Sequence, residues 1–233
     1  MNHTADLKES KKTARVAGIW YLVLAICSGA TWMYLNRTFV PENAALTARN
    51  ISSTEFQYIL SIIASITGQI AFVFVALYLY RLLKNVNMTQ ARFMITLVFI
   101  SVALMFVNIL FQTGSLVILE RTGYFAAFTK DQVAELSTLL LHLNLIGVYI
   151  ADLFWGLWLF PLAYLAYRSG LFPEFISYAL VLSGIGYITD SFSFIINQEL
   201  HSILRNYLSI PEALGEVILL LWLLIKGVSV RKE

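Results

Sequence analysis

The sequence predicts an all-α fold: a polytopic membrane protein built as a six-transmembrane-helix bundle, with its N and C termini in the cytoplasm. Hydrophobic residues make up 59% of the 233 residues and charged residues 13%, whereas charged residues average about 25% in soluble proteins. Several apolar runs reach the roughly 20 helical residues needed to cross a hydrocarbon core. Because these runs leave no room for a separate soluble domain, we predict one transmembrane helical domain over residues 1–233.

Six spans are predicted from the apolar runs. In chain order they are residues 14–35, 56–83, 92–119, 139–167, 175–196 and 212–228. The polar stretch after the first span contains a segment, residues 43–51, that suits a short interfacial helix. Thr129 and Gln132 form a Thr-x-x-Gln capping box, so the fourth helix is expected to begin there, before the chain enters the membrane.

Pro211 defines the predicted start of the sixth span. Proline suits the first turn of a helix, where its missing N–H has no partner to lose. The preceding stretch, which contains His201 and Arg205, is therefore interpreted as a loop with room for a short surface helix.

The basic residues predict the orientation. Eleven of the 16 Lys and Arg residues fall on the side of the termini and the two shorter loops, and five fall on the other side. Such a bias places the first side in the cytoplasm. The small net charge of +2 gives no reason to expect nucleic-acid binding.

Polar side chains recur at one predicted depth. At about 1.5 Å per helical residue, five of them fall about 20 to 22 Å from the cytoplasmic boundary or close to that level. These are Gln69, Asn108, Asp152, Asp190 and Glu216. An ionisable residue inside a span indicates a functional site facing the bundle interior. We therefore predict an outward-facing polar pocket whose ligand-binding residues are Asp190, Glu216, Asp152, Asn108, Gln69, Tyr187, Tyr149 and Trp155.

Two interpretations of these polar residues stay open. Gln69, Asn108 and Gln112 equally suit interhelical hydrogen bonding that only holds helices together. The carboxylates are different, because no basic residue is expected at their depth. At least one of Asp152, Asp190 and Glu216 is then expected to be protonated, hydrated from outside or bound to a cation.

Three functions remain open. The leading one is a non-enzymatic protein in the lipid bilayer that binds or passes a small amphipathic or cationic molecule, without a cofactor. The second is a membrane-embedded hydrolase that holds a divalent metal on Asp152, Asp190, Glu216 and His142 to activate water. The third is a structural or accessory partner of another membrane protein. The sequence has no HExxH or Gly-x-Ser-x-Gly motif, and the oligomeric state stays open.

The central stretch also resembles a known family, the domain-of-unknown-function 4386 family. The segments that carry the resemblance are Gly156-Leu157-Trp158-Leu159-Phe160-Pro161-Leu162, Tyr164-Leu165, Arg168-Ser169-Gly170, Pro173, Gly184-Ile185-Gly186-Tyr187-Ile188 and Asp190-Ser191-Phe192, with a similar start at Ala14-Arg15-Val16-Ala17-Gly18-Ile19-Trp20-Tyr21-Leu22. The chain departs from the pattern at Ala163, Ser177 and Glu174. The resemblance implies a multi-pass protein of a bacterial cytoplasmic membrane, and it adds weight to Asp190.

Overall fold

The computed structural model describes residues 3–120, 123–125 and 127–229. In these ranges the fold consists of seven α-helices and one short 3-10 turn, without a β-strand. The helices are α1 (His3–Thr38), α2 (Ala44–Ser53), α3 (Glu55–Leu83), α4 (Met88–Leu119), α5 (Lys130–Ser169), α6 (Glu174–Ile196) and α7 (Gln198–Ile225), and the 3-10 turn is Gly123–Phe125.

Six of these helices, all except α2, are long and apolar enough to span a membrane. The predicted fold class is therefore confirmed: the protein is an all-helical, multi-pass membrane protein. Several helices are longer than a bilayer requires. The 40 residues of α5 extend about 60 Å at 1.5 Å per residue, twice the hydrocarbon thickness of about 30 Å. Its ends therefore project beyond the hydrocarbon.

Two helix starts follow the local sequence signals. The Thr129 backbone N–H donates to Gln132 Oε1 at 2.9 Å, and the Gln132 backbone N–H donates to Thr129 Oγ1 at 3.3 Å, so the predicted capping box is confirmed. The short helix expected near residues 43–51 is α2. The side chain of Asn43 caps it by accepting a hydrogen bond from the Leu46 backbone N–H at 2.9 Å.

The predicted start of the sixth span is wrong. Helix α7 begins at Gln198 and continues through Pro211. Its N-terminus is capped by Asn197, whose side chain accepts a hydrogen bond from the Leu200 backbone N–H at 2.9 Å. The stretch with His201 and Arg205 is thus the first half of α7 and not a loop.

Ser183 of α6 bonds to the turn of α7 that follows Pro211. Its hydroxyl donates to the Pro211 carbonyl at 2.6 Å and accepts a hydrogen bond from the Gly215 N–H at 2.9 Å. These backbone groups are four residues apart, so the hydroxyl stands where the direct helical bond would run. The carbonyl that loses its donor because proline has no N–H is that of Tyr207, so Ser183 supports the turn after the proline.

The chain divides into two compact units. Unit 1 takes in Met1–Leu22, Ala71–Val102 and Tyr149–Glu233, and unit 2 takes in Val23–Ile70 and Ala103–Val148. The prediction of a single domain over 1–233 stays a prediction.

Unit 1 has a core built around Trp158, which is fully buried. The Trp158 ring packs edge-on against Phe72 at a centroid distance of 5.2 Å. Close packing of α5 on α6 depends on Gly156, because a Cβ atom there would lie 2.7 Å from the Gly184 carbonyl oxygen. Absence of a side chain at this position therefore brings the carboxylates of α5 and α6 within reach of one another.

Unit 2 has a core formed by buried residues of α2, α3, α4 and α5. They are Ile51, Tyr58, Leu116 and Leu141. The Tyr58 hydroxyl shares a hydrogen bond of 2.5 Å with Ser115 Oγ, and Gln112 Nε2 donates to Ser61 Oγ at 2.9 Å. Polar side chains between these helices thus satisfy one another.

Candidate functional site

Unit 1 contains a cluster of four acidic side chains on α5, α6 and α7, which we call the carboxylate cluster. Its members are Asp152, Asp190, Glu212 and Glu216. Asp190 is 0% exposed, and Asp152 and Glu212 are each 5% exposed. Glu212 and Glu216 are four residues apart on α7 and so lie on one helical face. Glu212 has room beside α6 because Gly186 has no side chain: a Cβ there would lie 3.1 Å from Glu212 Cγ.

Asp190 is held by two cationic or polar partners from α7. Arg205 Nη1 donates to Asp190 Oδ2. His201 Nε2 lies 3.2 Å from Asp190 Oδ1, although the two atoms lack hydrogen-bond alignment. Arg205 Nη1 also lies 3.7 Å from Glu212 Oε2. The expectation that no basic residue reaches the carboxylates is therefore wrong, because the assumed loop before Pro211 is a helix that carries Arg205 to α6.

Aromatic rings lie next to the Arg205–Asp190 ion pair. Tyr149 stacks on Phe194 with a centroid distance of 3.9 Å, and His201 meets the Tyr149 ring edge-on at 4.8 Å. The Arg205 guanidinium carbon lies 5.8 Å from the centroid of the Tyr149 ring. That distance allows a cation–π interaction, which strengthens away from water.

Glu216 is bound by two tyrosines. Tyr21 of α1 donates to Oε1 at 2.5 Å, and Tyr187 of α6 donates to Oε2 at 2.6 Å. The Trp155 ring packs edge-on against Tyr187 at a centroid distance of 6.4 Å. Each oxygen of this carboxylate therefore has one neutral donor and no positive charge bound to it in the described part of the chain.

Asp152 is buried on α5 without a direct partner among the described residues. Its electrostatic neighbours are Arg205, which is attractive, and Glu212, Asp190 and Glu216, which are repulsive. Burying a charge is unfavourable unless it is paired and hydrogen-bonded. Asp152 is therefore a buried acid that forms no hydrogen bond or ion pair with the described residues.

Several polar atoms around the carboxylate cluster are buried and form no hydrogen bond with described residues. They are Glu212 Oε1, Asp190 Oδ1, His201 Nε2 and Trp155 Nε1. Native proteins pair most of their buried polar atoms. Glu212 Oε1 therefore has hydrogen-bonding capacity to spare, and Asp190 Oδ1 has His201 Nε2 at 3.2 Å as its neighbour.

The other predicted site residues lie in unit 2. Asn108 forms interhelical contacts, since its backbone carbonyl accepts a hydrogen bond from Asn144 Nδ2 at 2.9 Å. Gln69 is 4% exposed, and its Oε1 atom has no hydrogen-bond partner among the described residues. His142, on α5, is also in unit 2 and is partly exposed. Their membership in a ligand site stays a prediction.

The part of the chain that the structure describes contains no group of three or more His, Cys, Asp or Glu side chains arranged to hold a metal ion. The metal site predicted on Asp152, Asp190, Glu216 and His142 therefore gains no support and stays a prediction.

A cavity of about 230 Å³ in unit 1 is lined by Gly170, Phe172, Pro173, Glu174 and Ser229. Another, of about 240 Å³ in unit 2, is lined by Tyr34, Arg37, Thr38, Asn50, Ser53 and Thr54. Neither is lined by a predicted ligand-binding residue.

Sequence reasoning missed Arg205 and Glu212. Taking Pro211 as a helix start placed Arg205 outside the membrane. The available signal was spacing: His201, Arg205, Glu212 and Glu216 follow intervals of four, seven and four residues, which share one face of a continuous helix.

The fold and this site define a class: a helical integral membrane protein with six spans and a carboxylate cluster buried among its last three helices. The family model described as "Domain of unknown function (DUF4386)" matches residues 16–227. The chain therefore belongs to this family, and the resemblance seen in the central stretch is confirmed. Neither the curated proteins nor the solved structures contain a match to the chain.

Proposed function

We propose that this membrane protein binds a small amphipathic cation at the carboxylate cluster, without catalysing a reaction. The observation that supports this proposal is an excess of negative over positive side chains at the cluster. Four acidic side chains lie together in unit 1, and within the described residues Arg205 is the only Lys or Arg side chain within 4 Å of them. Because buried carboxylates without a positive partner are unfavourable, a cation that enters the site is stabilised by the acids that Arg205 does not contact.

The aromatic rings support an organic cation. Tyr149 and Trp155 lie beside the acids, and their neighbours Phe194 and Tyr187 are aromatic too. Aromatic faces attract ammonium and guanidinium groups and also cover apolar ligand surface. Asp152 and Glu216 are the acids that lack a bound positive charge, so they are the proposed direct contacts.

The alternative functions have less support. The hydrolase hypothesis needs a metal-binding group, which the described residues do not assemble. The accessory-partner hypothesis gives no reason for four acids to be collected in the interior of one unit. The proposed location is a bacterial cytoplasmic membrane, supported by the excess of basic residues on one side.

The test measures binding of tetraphenylphosphonium, a lipophilic cation, to the protein in lipid nanodiscs by isothermal titration calorimetry. We expect saturable binding that weakens about tenfold or more in Glu216→Gln and in Asp152→Asn, since a lost charged contact of about 1.4 kcal/mol corresponds to tenfold. The neutral triphenylphosphine oxide is expected not to compete.

Matched controls come from the same helices. Glu199→Gln on α7 and Glu135→Gln on α5 remove exposed carboxylates outside the cluster, and both are expected to bind as the wild type does. Equal weakening in the control and site variants, or binding that does not saturate, would refute a cation site at these acids.

A further inference from the structure

The contacts of Arg205 identify the chemical class of the cation. We propose that Arg205 occupies a guanidinium-binding site, and that the ligand carries a guanidinium or amidinium group which takes the place of this side chain. The inference goes beyond the proposed function, because the acids that meet this group are Asp190 and Glu212, whereas the proposed function places its direct contacts at Asp152 and Glu216. Arg205 then serves as an internal competitor that fills the site until a ligand arrives.

The carboxylate geometry suits a planar, forked cation. Arg205 Nη1 donates to Asp190 Oδ2 and lies 3.7 Å from Glu212 Oε2. Two acids from two helices thus converge on one nitrogen. Guanidinium groups match pairs of carboxylate oxygens because their N–H donors lie in a fixed plane, whereas an ammonium group is a compact point charge.

The Tyr149 ring supplies a face for the same cation. The guanidinium carbon of Arg205 lies 5.8 Å from the centroid of this ring. The ring is held in place by stacking on Phe194, with a centroid distance of 3.9 Å. Planar cations stack on aromatic faces as well as pairing with acids. Acid pair and ring together form a site for a delocalised planar cation.

Because Arg205 is attached to α7, its guanidinium does not satisfy every oxygen atom of the two acids. Only Nη1 of the Arg205 guanidinium contacts the acids in the described part of the chain. Glu212 Oε1 and Asp190 Oδ1 are buried and accept no hydrogen bond there. A free guanidinium compound is not attached to α7, so it can turn to offer both acids a donor, which gives it an advantage over the tethered side chain.

Access to the site lies on the side of Arg205. Its side chain is 30% exposed, whereas those of Asp190 and Glu212 are 0% and 7% exposed. Arg205 precedes the end of α7 at Ile225 by about 30 Å at 1.5 Å per residue, close to a full hydrocarbon thickness. Arg205 is therefore near the membrane boundary, where its side chain can leave for water and uncover the acids.

Chemical rescue tests this proposal. Arg205→Ala removes the internal guanidinium, and we expect the apparent unfolding temperature of the purified protein to fall. Methylguanidinium chloride is expected to reverse most of this fall in the unfolding temperature, and the effect should saturate with concentration. Potassium chloride at equal ionic strength is the reference. Tetramethylammonium, which has no N–H donor, is expected to restore little.

Two controls isolate the site. Arg81→Ala breaks an exposed ion pair with Glu9 and is expected to gain nothing from methylguanidinium. Arg205→Ala combined with Asp190→Asn is expected to lose the rescue. If Arg205→Ala does not fold, Arg205→Gln keeps a polar side chain at the position and is titrated in the same way.

Rescue that is equal in Arg205→Ala and Arg81→Ala, or equal for methylguanidinium and tetramethylammonium, would overturn the guanidinium site. The rescue experiment and the tetraphenylphosphonium experiment can fail independently of each other. Rescue by methylguanidinium without tetraphenylphosphonium binding to the wild type would retain this inference and reject the broader amphipathic-cation site. Tetraphenylphosphonium binding without rescue would do the reverse.

Discussion

Individual carboxylates were the most informative residues in the sequence. Asp152, Asp190 and Glu216 stand out because an acid inside a membrane span is energetically costly unless it has partners. Their partners were harder to predict. Tyr21 and Tyr187 bind Glu216 through hydroxyl groups, and a tyrosine in a membrane helix gives no sign of which way its hydroxyl points. The acids were predictable, and their neutral donors were not.

Removing one donor from Glu216 tests that contact. Tyr187→Phe deletes the hydroxyl that donates to Glu216 Oε2 at 2.6 Å and keeps the ring packed on Trp155. We expect a loss of about 1.5 to 3 kcal/mol in unfolding free energy, the range for hydrogen bonds to charged groups. Reversible unfolding in mixed micelles, followed by circular dichroism, measures it.

Tyr178→Phe is the matched control, because Tyr178 lies on the same helix and is 62% exposed. Its hydroxyl forms no hydrogen bond with the described residues, so its loss is expected to change stability little. If the two variants lose the same stability, the Tyr187–Glu216 bond contributes nothing of its own.

Helix α7 shows where sequence reasoning reached its limit at the level of elements. Proline usually ends or begins a helix because it lacks an N–H and crowds the preceding turn. At Pro211 the helix nevertheless continues. Asn197 caps α7 at its start, and Ser183 of α6 bonds to the turn after the proline once the two helices pack. The local signal of the proline was therefore misleading, and the misplacement of Arg205 followed from it.

Ser183 is expected to stabilise the proline-containing turn of α7. Ser183→Ala removes the hydroxyl that joins the Pro211 carbonyl to the Gly215 N–H and leaves both backbone groups buried without that partner. The expected loss is about 1 to 3 kcal/mol, the usual effect of an unsatisfied buried group. The measurement is the midpoint of thermal unfolding in lipid nanodiscs.

Ser177→Ala provides the comparison within α6. Ser177 is 4% exposed, and its hydroxyl has no hydrogen-bond partner among the described residues, so its removal is expected to be neutral or slightly stabilising. A Ser183→Ala protein as stable as Ser177→Ala would show that the Ser183 hydroxyl does not stabilise the turn of α7 that follows Pro211.

At the scale of the whole molecule, composition and run length sufficed to predict six spans, and the described ranges contain six helices long and apolar enough to cross a membrane. Hydropathy succeeds here because lipid forces each crossing segment to satisfy its own backbone. Helix ends were predicted less well. Helix α1 starts at His3, well before its apolar run, since helices can continue into water where hydropathy no longer marks them, whereas the start of α5 was predicted by its capping box.

Orientation in the membrane is the last prediction, and it depends on the excess of basic residues at the termini and shorter loops. Cys27 is the single cysteine of the sequence, so a Cys27→Ser background accepts one reporter at a time. Glu42→Cys lies between α1 and α2, and Asn85→Cys lies between α3 and α4. We expect a membrane-impermeant maleimide to label Glu42→Cys in intact cells and Asn85→Cys only after permeabilisation.

Both positions are exposed, so a difference in labelling reports the side of the membrane and not burial. The unsubstituted Cys27→Ser protein gives the background. Labelling of Asn85→Cys alone in intact cells would invert the orientation and place Arg205 on the cytoplasmic side. Labelling of both before permeabilisation would mean that α3 does not cross the bilayer, because a single crossing must put its two ends on opposite sides.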